Sequence, residues 1–87
     1  MKKVYKYFCP VDDSIEIVLP IDAQILKFDT QNKYLCMWAL VDTDKTDETR
    51  RFRIAGTGHD IDEQLKLEYI NTFYFDSLVF HVFEVKI

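Results

Sequence analysis

Both glycines of the 87-residue chain stand in one run, Gly56-Thr57-Gly58-His59. Glycine is the residue for a positive φ or for close backbone approach. Main-chain N–H groups in such a turn can cradle an anion. Thr57 adds a hydroxyl, and His59 a ring that can stack or donate. A strand-ending turn asks for the same glycines, so the run carries two readings. It lacks the length and the Lys-Ser/Thr ending of a P-loop, which speaks against triphosphate chemistry. Immediately before it, Arg50, Arg51 and Arg53 carry three of the eleven basic charges. Arg51 and Arg53 share one strand face by the period-two rule, and arginine's planar fork suits phosphate. The competing use is pairing with the nearby Asp47 and Glu48. Trp38 is either a stacking platform for a ligand or a core residue.

Catalysis needs more than these residues offer. A nucleophile beside a base, or a metal set with an open position, is the minimum, and His59, His81, Cys9 and Cys36 are scattered singly. His81 lies in the apolar run Val79-Phe80-His81-Val82-Phe83, where a satisfied, half-buried ring is the plainer reading. The polar run from Asp42 to Arg50 lacks the glycine and distal glutamate of a calcium loop. The expectation is a binding protein with no catalytic residues, no cofactor and no metal.

The elements that must position these residues read as short strands. Val4–Cys9 is aromatic and ends at Pro10. Ser14–Leu19 alternates, with Ile15, Ile17 and Leu19 on one face, and Pro20 suits an edge or early-pairing strand. Ala23–Gln31 and Tyr34–Val41 form a hairpin about Asn32-Lys33, and the second arm, apolar on both faces, predicts a central strand covered on both sides. The run Asp42–Arg50 contains no hydrophobic residue and reads as a solvated loop. In Arg51–Ala55, Phe52 and Ile54 point inward. The segment 60–66 fits one helical turn or an irregular connection, and Leu67–Phe75 with Leu78–Val85 makes a terminal hairpin about Asp76-Ser77. Seven strands with hairpin-length connections predict one all-β domain over residues 1–87, a small antiparallel sandwich or barrel.

Composition supports that class. Seven Phe, five Tyr and one Trp suit half-buried pleated surfaces. Two Gly and two Pro require compact polar turns instead of long loops. A net charge of −4 argues against gripping duplex nucleic acid, although a local basic pocket suffices for a small anionic ligand. The two cysteines, without CxxC spacing, read as reduced thiols of a cytosolic protein. No signal peptide follows Met1-Lys2-Lys3, and no apolar stretch approaches a membrane span.

The run Leu35–Asp42 with Trp38, then Arg51-Phe52-Arg53-Ile54 with Gly56-Thr57-Gly58-His59, then Tyr69–Phe73 and Leu78–Glu84, resembles a widespread group of small bacteriophage and prophage proteins. That group is long catalogued as a domain of unknown function. The resemblance covers nearly the whole chain, including Tyr5-Lys6-Tyr7 and Leu19-Pro20. It implies an anti-defence role in the cytoplasm of an infected bacterial host. What the resemblance implies is a sponge that sequesters a cyclic-nucleotide signal of bacterial immunity, as in CBASS, without cleaving it. Such a sponge would use Arg51, Arg53, Gly56, Thr57, Gly58, His59 and Trp38 for the nucleotide, with a homodimer as the expected assembly. The alternative is a protein-binding inhibitor of a defence effector, anti-CRISPR-like, with an acidic surface imitating nucleic acid. The chain departs from the group at Asn71, where glycine is expected, and near Asp76-Ser77.

Overall fold

Alternation of apolar and polar residues fixes which face of each strand is buried, and two such faces closing on one another make the core. The computed structural model describes residues 1–86. It has seven strands: β1 (Lys2–Cys9), β2 (Ser14–Pro20), β3 (Gln24–Gln31), β4 (Tyr34–Asp42), β5 (Asp47–Gly56), β6 (Leu67–Phe75) and β7 (Leu78–Val85). They form two antiparallel sheets, ordered β1-β4-β3 and β2-β5-β7-β6. The architecture is therefore the sandwich and not the closed barrel. Its shortest dimension, 16 Å between Cα extremes, is that of two layers.

The core follows the predicted faces. Ile15, Ile17 and Leu19 of β2 and Phe52 and Ile54 of β5 are buried against Phe28, Leu35, Met37 and Val41 of the other sheet. Phe28 and Phe52 meet edge to face across the two sheets, ring centroids 5.1 Å apart. Burying such rings contributes roughly 1.5–3 kcal/mol each. β2 is an edge strand, as Pro20 at its end requires.

Both predicted hairpins form, each about a two-residue turn with two positive φ values. These are 52° and 71° at Asn32 and Lys33, and 49° and 68° at Asp76 and Ser77. Two left-handed residues match the right-handed strand twist, so the polar pair at 76–77 turns the chain without glycine. The segment 60–66 resolves as the irregular connection, with a turn at Asp62–Leu65 closed by a hydrogen bond from Leu65 N–H to the Asp62 carbonyl at 3.2 Å.

Two expectations are corrected. The polar run 42–50 is not a free loop: β5 begins at Asp47, and Asp47 to Arg50 pair with Pro20 to Ile17. An edge strand supplies backbone partners, and those outweigh the lack of apolar side chains. β4 is central, but no second sheet covers its outer face, although Cys36 on that face is fully buried. Leu35, Met37, Ala39 and Val41 point into the core, whereas Trp38 and Leu40 on the other face are half-buried and Tyr34 is exposed.

Candidate functional site

The β5 register places Arg51 and Arg53 on the outer face of the four-stranded sheet, opposite Phe52 and Ile54. Their surroundings differ. The Arg53 side chain is only 15% exposed. Its guanidinium donates to the main-chain carbonyls of Asp13 and Asp60, both at 3.1 Å, and of Ile54. Asp13 Oδ1 lies 3.6 Å away. Arg53 therefore ties the start of β2 and the segment after the glycine turn to β5. Three of its five N–H donors are engaged within the chain. Arg51 is more than half exposed and lies 3.8 Å from Glu16, a weak surface pair. The arginines thus pair with Asp13, Glu16 and Glu84, not with Asp47 and Glu48.

Gly56-Thr57-Gly58-His59 is a tight turn. His59 N–H donates to the Gly56 carbonyl at 3.0 Å. Gly58 at its third position has φ +86°, where a side chain would be strained. Thr57 N–H donates to Val79 O at 3.2 Å. Two of the amides that could face an anion are thus engaged in the fold. Gly56 gives the His59 ring room, since a Cβ there would stand 2.9 Å from its Cε1. Gly56, Thr57 and His59 border a pocket of 280 Å³ with Leu78, Val79 and Phe80. Arg51 instead borders a groove of 670 Å³ with Glu16, Asp22, Glu48 and Glu84. The two cavities share no lining residue.

Two groups of side chains, on β5, β6, β7 and the glycine turn, were not singled out by spacing. Thr57 Oγ1 lies 2.8 Å from His81 Nε2, His81 Nδ1 lies 2.9 Å from Thr72 Oγ1, and Thr72 Oγ1 lies 2.7 Å from the Tyr69 hydroxyl. Hydroxyls both donate and accept, so this row is satisfied with either His81 tautomer. It clips the turn to β7 and β6. On the inner face, Arg50 meets Glu84 through two hydrogen bonds of 2.6 and 2.7 Å and donates to Ala23 O at 2.5 Å. The guanidinium beside it holds the Glu84 carboxyl below the usual range. Period two was the available signal, for Arg50 alternates with Phe52 and Ile54, and Glu84 with Val82 and Phe80.

Trp38 stands on the other sheet. Its cross-strand neighbours on the outer face are Lys6 of β1 and Lys27 of β3. Along the same face lie Phe8 and Tyr34, 69% and 66% exposed, with rings edge to face at 6.2 Å. The Lys6 ammonium sits 5.0 Å from the Phe8 centroid and donates to Gln31 Oε1 at 2.8 Å. Lys27 pairs with Asp29 at 3.0 Å on the surface. Charge is segregated to match. Strands β1, β3 and β4 with their turn carry Lys2, Lys3, Lys6, Lys27 and Lys33 against Asp29 and Asp42, net +3. The other six cations and thirteen acids give −7, which together make the chain's −4.

A domain-of-unknown-function family, DUF7352, matches residues 1–87. The chain belongs to this family. No curated protein and no solved structure matches it. Membership in DUF7352 assigns no chemistry. Among the described residues no three His, Cys, Asp or Glu side chains group to hold a metal ion, and no helix is long and apolar enough to cross a membrane.

Proposed function

We propose that the domain is a non-catalytic binding protein for a nucleotide-type anion, held on the outer face of the β1-β4-β3 sheet with Trp38 as its stacking group. The observation that carries this reading is the register that sets Lys6 and Lys27 on either side of the indole. An aromatic face takes a base of any identity, while flanking ammonium groups meet its phosphates. The engagement of Arg53 with main-chain carbonyls and the pairing of Arg51 with Glu16 favour this face over the one first expected. Sequestration of a cyclic-nucleotide immune signal in an infected bacterium is the biological form that the resemblance to phage sponges adds. A homodimer would leave this face free, since pairing it with its own copy sets like charge against like charge.

Trp38 is the single tryptophan, so its emission reports on the face directly. Titration with cyclic dinucleotides and mononucleotides should quench it, and Lys6→Ala and Lys27→Ala should each weaken binding by about three- to tenfold. Unchanged emission together with no calorimetric heat from any nucleotide would remove the reading. The second reading, an inhibitor that imitates nucleic acid toward a host protein, is favoured by the net −7 of the remaining chain. Co-purification with a host effector, lost when acids of that surface are neutralised, would support it instead.

A further inference from the structure

We infer that the same face accommodates a single-stranded oligonucleotide rather than one nucleotide, an inference that rests on the reading of Trp38 as the stacking group. Two aromatic stations lie on the face. Trp38 is one, and the Phe8–Tyr34 pair is the other. Tyr34 and Trp38 are four residues apart on β4, hence roughly 13 Å apart at 3.3 Å per residue. A base stacked on one station leaves the other empty. A strand carrying several bases can occupy both.

The polar groups follow the same line. Lys6 reaches toward the Phe8 ring, and Lys27 flanks Trp38. Both stand where a backbone passing between the stations would set its phosphates. The hydrogen bond of Lys6 to Gln31 and the exposed pair of Lys27 with Asp29 are surface contacts that phosphate oxygens can replace. By register Lys2, Lys6 and Lys27 share this face with Asp29 and Asp42, a small positive excess on a chain of net charge −4, and that favours an anion here over the rest of the surface. A duplex is disfavoured, because its bases are stacked on one another and cannot reach the rings. Stacking of this kind tolerates sequence, since every base has a π-face.

The test uses the intact protein and oligothymidylates of one, two, four and eight nucleotides with a cyclic dinucleotide alongside, read by Trp38 emission and by anisotropy of the labelled octamer. Affinity should rise about tenfold or more from the mononucleotide to the octamer and fall with added salt. The Phe8→Ala, Tyr34→Ala double variant should weaken the octamer about tenfold and leave the mononucleotide unchanged. Trp38→Phe, which keeps a ring on the strand, should weaken both, with octamer binding then read by anisotropy. Melting curves confirm that each variant is folded. If the mononucleotide or the cyclic dinucleotide binds as tightly as the octamer, the extended strand is wrong while nucleotide binding at Trp38 stands. If none of them binds, both fall together.

Discussion

The Asn71 carboxamide forms a closed pair of hydrogen bonds with the main chain of Phe28, accepting from its N–H at 2.8 Å and donating to its carbonyl at 2.7 Å. Asn71 belongs to β6 and Phe28 to β3, so one side chain continues the hydrogen bonding from one sheet to the other. Glycine, expected here from the resemblance, could not make this bridge. Asn71→Ala leaves a donor and an acceptor in the interior without partners. It should cost about 2–4 kcal/mol, measured by urea unfolding.

Arg53→Ala should destabilise the fold by about 2–3 kcal/mol, since its guanidinium holds three main-chain carbonyls. Arg53→Lys should rescue little, because an ammonium cannot span the same fork. Nucleotide affinity, read by Trp38 emission below the melting range, should be unchanged in both variants.

The Arg50–Glu84 pair makes stability depend on pH with a definite sign. The folded Glu84 carboxyl is held below its usual range, chiefly by hydrogen bonds from Arg50. The unfolded glutamate titrates near about 4.3. The contribution is therefore present above that pH and is lost as pH falls through the lower, folded value. Glu84→Gln should cost about 3 kcal/mol at neutral pH by leaving the guanidinium without its counter-charge. The gap between wild type and variant should narrow below about pH 4, as thermal melts across pH would show.

Lys33 and Ser77 adopt positive φ without being glycine. Lys33→Gly and Ser77→Gly should each raise stability by about 0.5–1 kcal/mol, because relief of left-handed strain outweighs the added freedom of the unfolded chain. A fall in melting temperature for both would show that the turns are not strained.

Burial pushes the Cys9 thiol up to about 11, and Cys36 is fully buried. Neither should react with a thiol reagent at pH 8 in the native state, and both should react on unfolding. Timed alkylation followed by mass measurement checks this.

The strands were legible because Ile15, Ile17 and Leu19, or Phe52 and Ile54, repeat at two and have one place to go. The start of β5 was not, because Asp47–Arg50 is polar and its strand character comes from the β2 backbone. Apolarity alone on both faces of β4 did not say whether a second layer covers Trp38. That depends on which sheet β4 joins, a matter of topology. Arg51 and Arg53 do share a face. Which of them remains free was decided by Asp13 and Asp60, whose carbonyls are brought in by loops with no periodic signal.

The two tight turns at 32–33 and 76–77 also bear on how the chain reaches its fold. Each hairpin closes between adjacent segments and can form early, on the microsecond scale of such units. β1 must wait for β4, and β2 for β5, across stretches of more than twenty residues that include the first hairpin or precede the second. The order is thus two local ribbons first, β5 onto β7 next, and the edge strands β1 and β2 last. Refolding should be limited by those distant closures, and substitutions in β1 or β2 should therefore slow folding.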